Sequence, residues 1–291
     1  MTNAHHATIV EEIATILANV QHPGDQFVMR VHAPKIAQKA LPGQFVHIQV
    51  SPERPMRRPI SIMLTNPEQG TVDLLIKAIG EGTERLRQRK VDEQLPMMGP
   101  IGHPFDLADP SKRYILIGGG VGIPPMIFVA DHLQGQAETI LFAGSEVPFP
   151  FALKPSTFLL PGIDSSVKMT IASLESRDIP CRLASKANMH GCFDGYVADL
   201  ARSYLQALPQ EERQRCVLLS CGPHPMLQSV AKLAHDLNIP AQLSLEEHMA
   251  CAIGGCAGCV VETLEQGKRY YRRICVDGPV FDLNILPEFA A

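Results

Sequence analysis

The sequence predicts a multi-domain β plus α/β protein: an antiparallel β-barrel, then a parallel-sheet α/β domain, then a small C-terminal module. Three features predict this organisation. Up to residue 105, short runs rich in valine, isoleucine and leucine are separated by turn signals. From Arg113 onwards, compact apolar runs alternate with helix-like stretches. After about residue 240, cysteine and glycine are concentrated.

The first part of the chain has the pattern of an antiparallel barrel or sandwich. The expected strands are residues 26–33, 43–50, 60–64 and 71–79. The segments between them carry Pro-Gly and Asn-Pro turn signals. Short strands at this spacing favour a barrel, and we place the domain at residues 1–108.

The middle part has the pattern of a parallel sheet wrapped by helices. The expected strands are residues 114–118, 139–144, 167–172 and 216–220. Such near-continuous apolar runs are typical of strands that are buried on both faces. We place this domain at residues 109–240 and the C-terminal module at residues 241–291. The segment 146–163 is interpreted only as a lengthened connection between strands.

Composition and charge exclude several classes of protein. The 291 residues, of which 45% are hydrophobic and 19% charged, are typical of a globular chain. A net charge of −4 gives no general attraction to nucleic acid or to an anionic membrane. The longest uncharged stretch, 114–130, is interrupted by glycine and proline and is too short to span a bilayer. Residues 1–17 contain no lysine or arginine, so we expect no secretory signal and a cytoplasmic location.

A glycine-rich turn follows the first apolar run of the middle part. Its glycines are Gly118, Gly119, Gly120 and Gly122. Glycines allow the backbone to approach a phosphate closely, and a helix that starts at Pro124 would direct amide groups and a helix dipole at the anion. The pattern departs from the usual dinucleotide fingerprint because position 123 is isoleucine, so a simple tight turn remains the alternative.

A second apolar run ends in the same way, at Cys221, Gly222 and Pro223. Two such ends in one parallel sheet create a crevice at the carboxyl edge of the strands, where nucleotides bind. The sequence therefore predicts a nucleotide site at this edge.

Two short motifs in the first part could bind an anion. In RRPIS, Arg58 could pair with a phosphate and Ser61 could donate a hydrogen bond to a bound ring. In GEGT, Gly82 precedes Thr83, which is predicted as the cap of a helix with exposed amides and arginines nearby. A basic surface strand and a solvated amphipathic helix explain the same residues equally well.

Four of the eight cysteines lie within 25 residues of each other near the C-terminus. They are Cys251, Cys256, Cys259 and Cys275. The first three have the plant-type [2Fe–2S] spacing, and the glycines among them allow a loop that directs amides at the sulfur atoms. Tetrahedral zinc is the alternative, although zinc sites favour two short cysteine pairs and the sequence contains one.

The order RPIS, GEGT, GGGVGIPP and SCGPHPM resembles the ferredoxin-NADP reductase superfamily. In that superfamily a barrel binds flavin and a second domain binds the nicotinamide nucleotide. SLEEHMACAIGGCAGCVV at 244–261 and RRICVDGPVFD at 272–282 are similar to one branch, the electron-transfer subunits of the two-component, NAD-linked dihydroorotate dehydrogenases.

The resemblance implies three cofactors, FAD, a [2Fe–2S] cluster and NAD(H), and assigns residues to them. The expected FAD contacts are Arg58, Pro59, Ile60, Ser61, Leu75, Ile76, Lys77, Gly82 and Thr83. The four clustered cysteines would bind the [2Fe–2S] centre. The chain departs from the pattern at Ile60, where tyrosine is common, and at Ala252, where this branch often has glycine.

The resemblance also implies a catalytic partner. A separate FMN-containing subunit would oxidise dihydroorotate to orotate in pyrimidine biosynthesis, and electrons would reach NAD⁺ through the cluster and FAD of this chain, in a heterotetramer. Cys221 could position the nicotinamide, or could be a small residue in a tight turn. Residues 268–273 (KRYYRR) could contact the partner, or could form a solvated hairpin. Glu138 or Glu146 could bind the ribose, and the absence of Arg and Lys between them favours NAD over NADP.

Two alternatives to this function remain. A diaphorase-like subunit of a hydrogenase, a sulfide dehydrogenase or a sulfite reductase would keep the electron-transfer chemistry and change the partner. A non-catalytic regulatory module with structural zinc would use the same cysteines without flavin.

Overall fold

The computed structural model describes residues 8–53 and 55–290. Residues 1–7, which belong to the segment predicted to lack a secretory signal, lie outside the described part. The chain forms two compact units, and each of them is discontinuous in sequence. The first unit joins the chain up to residue 105 to residues 244–281, which we call the C-terminal segment, and the second joins residues 106–243 to the residues from 282 onwards. None of the helices in the described ranges has the length and apolar character needed to cross a membrane.

The first unit is built on a seven-stranded antiparallel sheet. Its strands are β1 (Val10–His22), β2 (Gln26–His32), β3 (Phe45–Ile48), β4 (Arg58–Ser61), β5 (Leu64–Asn66), β6 (Thr71–Lys77) and β7 (Gln94–Ile101). Their order is β4-β3-β7-β1-β2-β6-β5, with antiparallel pairing throughout. The sheet curls so that β4 also contacts β6, as in a half-barrel. Two short helices, α1 (Pro34–Ala37) and α2 (Glu81–Arg87), complete this part.

Three of these strands are absent from the sequence prediction: β1, β7 and β5, because the predicted strand 60–64 is interrupted after Ser61 and only its last residue belongs to β5. β1 places Ala14 and Ile16 in the core while Ile13 is more than half exposed, so its alternation is that of a half-buried strand. β7 contains two prolines, which normally exclude a central strand because proline has no amide hydrogen to donate. The carbonyl of Pro96 still accepts a hydrogen bond from the Gln49 amide at 2.9 Å, which joins this position to the segment that follows β3.

The second unit is built on a sheet whose strands run mostly parallel. Its strands are β8 (Arg113–Gly119), β9 (Glu138–Gly144), β10 (Leu153–Pro155), β11 (Met169–Ile171), β12 (Cys181–Ser185), β13 (Phe193–Asp194), β14 (Cys216–Cys221) and β15 (Ala241–Ser244). The helices are α3 (Ile123–Leu133), α4 (Ala172–Glu175), α5 (Val197–Ala207), α6 (Gln210–Gln214) and α7 (His224–Leu237). The sheet order includes β13-β12-β9-β8-β14-β15, and the first four of these pairings are parallel. The predicted α/β architecture is confirmed.

One predicted strand of the parallel sheet is wrong. Within 167–172, residues 169–171 form β11, which pairs antiparallel with β10 in a separate two-stranded sheet. The segment 146–163 supplies β10 and therefore provides β11 with a partner. β12 takes the place beside β9 in the main sheet.

The second unit has its own hydrophobic core, which is built on β8 and β14. The apolar residues Ile115, Leu116 and Ile117 of β8 and Leu218 and Leu219 of β14 are fully buried, and α3 and α5 pack on β8. Strands covered on both faces must be apolar on both faces, which produces the continuous runs seen in the sequence. The register pairs the last residue of β14 with Gly118, so the turns after the two strands lie at the same edge.

The C-terminal segment, residues 244–281, returns to the first unit. It contains β16 (Val260–Glu265), β17 (Lys268–Arg273), α8 (Ile274–Asp277) and the start of β18 (Val280–Asp282), whereas the turns of 3₁₀ helix at Leu283–Ile285 and Pro287–Phe289 belong to the second unit. Gly102, at the end of β7, has φ +96°, and a Cβ atom there would meet the Pro279 ring and lie 2.9 Å from the Gly278 carbonyl oxygen. The His103 amide donates a hydrogen bond to that same carbonyl. The absence of a side chain at Gly102 therefore allows the C-terminal segment to pack on the half-barrel.

Gly102→Ala tests this packing. The added methyl group must displace Pro279, and overpacking of this kind costs about 1–3 kcal/mol. We expect a lower thermal midpoint and a reduced iron content in the purified protein. Gly135→Ala is the matched control, because Gly135 also has a positive φ (+71°) but faces open space, so only the backbone cost of about 1 kcal/mol applies. Equal losses in the two variants would contradict this packing role.

Candidate functional site

Two motifs that are separated in sequence meet at one point in the first unit. Arg58 opens β4, at the edge of the sheet, and Gly82 lies in the first turn of α2. A Cβ atom at Gly82 would lie 2.5 Å from Nε and 2.8 Å from Cζ of Arg58. The Arg58 guanidinium also donates to the Met56 carbonyl at 2.8 Å. Glycine at position 82 therefore allows this guanidinium to lie against the start of the helix.

The predicted cap of α2 is wrong in its detail. Gly80 is the N-cap residue, and Thr83 is the third residue of the helix. The Thr83 hydroxyl donates to the Gly80 carbonyl at 3.0 Å and accepts from the Gly80 amide at 3.3 Å, so it closes the first turn. The two nearby arginines are engaged within the helix, because Arg85 pairs with Glu81 at 3.1 Å and Arg87 pairs with Glu84 at 2.8 Å. Arg58 is therefore the better placed cation for an anionic ligand.

The remaining residues expected at the flavin lie on two strands that contact each other. Pro59, Ile60 and Ser61 follow Arg58 along β4 and are half-buried. On β6, Leu75 and Ile76 are buried and Lys77 is exposed. β4 and β6 approach each other across the curled sheet. The structure thus brings the two predicted groups together, with Ile60 supplying an aliphatic side chain in place of an aromatic one.

In the second unit, the two predicted glycine turns also touch. β8 is followed by a 3₁₀ turn at Gly120–Gly122 and then by α3, in which Pro124 occupies the first turn as predicted. A Cβ atom at Gly122 would overlap the Cys221 carbonyl. A Cβ atom at Gly222 would lie 2.9 Å from Sδ of Met226 and 3.2 Å from the Gly119 amide nitrogen. These glycines allow the ends of β8 and β14 to pack against each other.

Gly120 differs from its neighbours. It has φ +54°, and a Cβ atom there would meet nothing within 4 Å. Its glycine is therefore required by the backbone conformation and leaves open space at the carboxyl edge of the sheet, as a phosphate site needs. Cys221 is buried, and its backbone lies against Gly122, which agrees with a small residue in a tight turn.

The interpretation of Glu138 as a ribose ligand is wrong. Glu138 is the first residue of β9 and pairs with Arg113 in the register, at the amino edge of the sheet. Six residue steps at ~3.3 Å separate it from the carboxyl edge by about 20 Å. Its carboxylate accepts from the Arg113 guanidinium at 2.9 Å, and this bond lowers the pKa of Glu138. Glu146, which is exposed two residues after β9, is the acid at the correct edge.

The four clustered cysteines lie in two pairs. Sγ of Cys251 and Sγ of Cys256 are 3.3 Å apart, too far for a disulfide. The thiols of Cys259 and Cys275 interact with each other, and both are buried. The Ile274 amide donates to the Cys259 carbonyl at 2.8 Å, which holds the two ends of this second pair together.

Backbone amides surround the sulfur atoms. Burial alone would raise the pKa of the Cys251 thiol, but hydrogen bonds from the amides of Ile253, Gly255 and Cys256 and from the Cys256 thiol lower the pKa to about 7. Burial, together with the neighbouring Cys259 thiol, raises the pKa of Cys275 to about 12. An amide that stabilises a thiolate also stabilises a sulfur ligand on iron, so this loop is suited to hold an anionic centre.

The donor arrangement fits a two-iron cluster better than a single zinc ion. Zinc in a structural site needs four ligands around one point. A [2Fe–2S] cluster has two irons and four thiolates, so two pairs of cysteines match it. Among the described residues, the arrangement therefore offers two sites of two ligands each.

Ala252 explains one departure from the family pattern. Its φ is +57° and its side chain is buried. Glycine adopts this conformation without steric cost, which accounts for the glycine that the related branch often has there. Alanine adds the smallest side chain with a Cβ atom, so it fits this buried position with the least additional volume.

Two residues that support the sites, Arg273 and Met226, were not predicted to do so from the sequence. The Arg273 guanidinium donates to the Gly254 carbonyl at 2.9 Å and ties the hairpin β16–β17 to the cysteine loop. Met226 packs against both Gly119 and Gly222. The positions of Arg273, two residues before Cys275, and of Met226, one turn after Gly222, were the available signals.

Two sequence families match separate parts of this chain. Residues 12–105 match the oxidoreductase FAD-binding domain. Residues 246–286 match the iron-sulfur cluster binding domain of dihydroorotate dehydrogenase B. These matches confirm the predicted oxidoreductase class and the predicted FAD and iron–sulfur domains.

Solved structures confirm the fold. The chain superposes on the NADH-dependent reduced ferredoxin-NADP oxidoreductase described for flavin-based electron bifurcation, with a TM-score of 0.75, 23% identity and coverage of 94% of this chain and 89% of that one. It also superposes on the ferredoxin reductase of carbazole 1,9a-dioxygenase, with a TM-score of 0.61, 19% identity and coverage of 79% and 67%. Both likenesses confirm an antiparallel half-barrel followed by a parallel-sheet domain.

Curated relatives match between 84% and 93% of the chain. The electron transfer subunit of dihydroorotate dehydrogenase B (NAD(+)) from Shouchella clausii is 30% identical, over 93% of this chain and 95% of that protein. The subunit of the same name from Bacillus cereus strain B4264 is 31% identical, over 84% and 85%. That from Desulforamulus reducens is 29% identical, over 92% and 95%. This chain therefore belongs to the family of electron transfer subunits of dihydroorotate dehydrogenase B.

Proposed function

We propose that this protein carries electrons between a catalytic dihydroorotate dehydrogenase subunit and NAD⁺. One observation carries the proposal: four cysteines in two pairs lie in a segment that packs on an FAD-type half-barrel within one compact unit. The relatives named as electron transfer subunits match over nearly the full length of the chain. The direction we infer is from dihydroorotate oxidation on the partner towards NAD⁺.

The three cofactors exchange different numbers of electrons in a single step. A nicotinamide exchanges two electrons as a hydride, a flavin exchanges electrons in pairs or singly, and a [2Fe–2S] cluster carries one. The residues of this chain bind and orient these groups. In this proposal Cys251 and Cys256 bind one iron and Cys259 and Cys275 bind the other, and amides of the loop stabilise their negative charge.

The flavin-binding role is assigned to the β4–α2 junction. Arg58 would pair with the pyrophosphate, as a fork of donors suits a phosphate. Gly82 keeps that guanidinium in place, since any side chain there would displace it. Ser61 would donate to the flavin ring. The remaining proposed contacts are Pro59, Ile60, Leu75, Ile76, Lys77 and Thr83.

The nucleotide-binding role is assigned to the carboxyl edge of the parallel sheet. The turn Gly118–Gly122 and the turn at Gly222 lie at this edge in register. The open space at Gly120 would receive the phosphates, and Cys221 would help to position the nicotinamide. Glu146 is the proposed ligand of the ribose hydroxyls, and the preference for NAD follows from its negative charge.

The proposed assembly follows from the same family. The partner is an FMN-containing catalytic subunit, the complex is a heterotetramer, and its location is the cytoplasm. We retain the functional division into residues 1–108 for FAD, 109–240 for NAD and 241–291 for the cluster, although the last of these segments packs largely with the first.

Co-purification under anaerobic conditions tests the function as a whole. The chain is expressed with the neighbouring genes of its own genome, the complex is isolated, and NAD⁺ reduction is followed after adding dihydroorotate. We expect dihydroorotate-dependent formation of NADH at a stoichiometry of one orotate per NADH. A complex that reduces NAD⁺ with hydrogen or sulfide and ignores dihydroorotate would favour a diaphorase-like subunit instead.

Gly82→Ala should weaken FAD binding by at least tenfold. The new methyl group would lie within 2.8 Å of three guanidinium atoms of Arg58 and must displace them. Arg58→Ala should produce a loss of similar size. Gly80→Ala is the matched control, because its Cβ atom would meet nothing within 4 Å and its φ of −158° suits any residue. FAD content after gel filtration measures the effect, and full retention in Gly82→Ala would refute the assignment.

Cys256→Ser should separate the two activities of the chain. NADH oxidation with an artificial two-electron acceptor should persist, because the residues assigned to FAD and NAD are unchanged. Electron exchange with the catalytic subunit should fall by more than tenfold, because one thiolate ligand is lost. Cys192→Ser is the control, since Cys192 is half-buried and distant in sequence from the cysteine loop. Equal loss of both activities in Cys256→Ser would argue against a cluster between flavin and partner.

A further inference from the structure

The hairpin β16–β17 has two faces with different character. Cross-strand pairs in antiparallel strands share a face, and successive pairs alternate between faces. The pairs Val260–Arg273, Glu262–Tyr271 and Leu264–Arg269 form one face, which we call the outer face. The pairs Val261–Arg272, Thr263–Tyr270 and Glu265–Lys268 form the other, the inner face.

The inner face is satisfied by its own contacts. Thr263 is fully buried. The Arg272 guanidinium donates to both carboxylate oxygens of Glu265, at 2.7 and 2.9 Å, and lies 5.4 Å from the ring centre of Tyr270. The charge of Arg272 and the ring of Tyr270 are therefore engaged within the hairpin, although Tyr270 remains 41% exposed.

The outer face presents apolar and aromatic surface to solvent. Tyr271 is 70% exposed, Leu264 is 41% exposed and Val260 is 36% exposed. Arg269, at the same face, has 73% of its side chain exposed and pairs with Glu262 only at 3.5 Å. Tyrosine and arginine around aliphatic side chains are the composition of a protein–protein contact surface, in which tyrosine supplies a large rigid anchor. A two-stranded hairpin is also marginally stable alone in water, so a cover on this face would stabilise it.

The position of the hairpin beside the cysteine loop indicates which protein would cover its outer face. β16 begins directly after Cys259, and β17 ends two residues before Cys275. Arg273 bonds to Gly254 in the cysteine loop, in which Cys256 is exposed. A protein seated on the outer face would thus lie next to the thiols through which electrons must enter. The hairpin has four cationic and two acidic side chains, a net charge of +2, in a chain of net charge −4.

Resting on the proposed function, we propose that the outer face docks the catalytic subunit, with Tyr271 as its central anchor. The complementary surface is an apolar recess that receives the tyrosine ring, rimmed by carboxylates that face Arg269. Rim charges of this kind act mainly on the association rate and on its dependence on salt, whereas the anchor acts on dissociation.

Neighbouring residues of the same type give matched controls. Holoprotein that contains FAD and iron is titrated with the isolated catalytic subunit, and the dissociation constant is measured. Tyr271→Ala should weaken binding by at least tenfold, while Tyr270→Ala, on the inner face, should change it by less than about threefold. Arg269→Glu should slow association more than Lys268→Glu, and the difference should shrink at high salt. In Tyr271→Ala, the visible absorption of flavin and cluster and NADH oxidation with an artificial acceptor should remain unchanged.

The outcomes separate this inference from the proposed function. Unchanged affinity in both Tyr271→Ala and Arg269→Glu, with a wild-type complex that forms, would overturn the docking surface and leave the proposed function standing. Failure of the wild-type chain to bind the catalytic subunit at all would overturn both. Self-association of the chain that Tyr271→Ala abolishes, with affinity for the catalytic subunit retained, would assign this face to a second copy and overturn the proposal.

Discussion

The packing of the C-terminal segment on the half-barrel is the constraint on which the proposed electron path depends. Gly43 and Gly102 leave room for it: a Cβ atom at Gly43 would lie 2.9 Å from both Phe105 and Val280, and one at Gly102 would meet Pro279. These contacts lie within a few residues of Cys275. The chain therefore leaves the first unit at residue 105, builds the second unit, and returns at residue 244 to complete the first. The residues proposed for FAD and those proposed for the cluster therefore belong to the same unit.

Close approach at glycine recurs at each site and joins motifs that are distant in sequence. Gly82 lies against Arg58, and Gly122 lies against the backbone of Cys221. In both cases the contact is made by backbone or guanidinium atoms where any side chain would intrude. The main role of these glycines is therefore to allow close packing. This packing positions the groups that would contact a ligand. Gly120 is different, since open space lies beside it. Glycine-rich motifs in this fold thus combine contacts between chain segments with room for phosphate.

Local patterns predicted the architecture, because alternation, apolar runs and glycine turns are local properties. The α/β unit and the helix start at Pro124 follow from such patterns. β7 was not predicted because its two prolines argue against a central strand, and its pairing with β1 and β3 joins residues that are distant in sequence. Residues 169–171 were predicted in the wrong sheet because their partner strand, β10, lies in the connection 146–163, which was not predicted to contain a strand. Glu138 was misassigned because its distance along the chain does not show to which edge of the sheet it belongs.

In the cysteine loop, the spacing in the sequence and the arrangement in three dimensions also give different information. The spacing alone predicted a [2Fe–2S] centre, because it is a property of the loop itself. The grouping of the thiols into two pairs depends on the return of the chain at Cys275, and the difference between the hairpin faces depends on the register. Spacing therefore identified the ligands, and the tertiary structure was needed to arrange them and to distinguish Tyr271 from Tyr270.

The most direct test of this account is the metal and sulfide content of the anaerobically purified chain, combined with its electron paramagnetic resonance spectrum before and after NADH. We expect about two irons, two acid-labile sulfides and one FAD per chain, and a signal of a reduced two-iron cluster that appears only when NADH is added. One zinc per chain, without sulfide and without any signal, would contradict it.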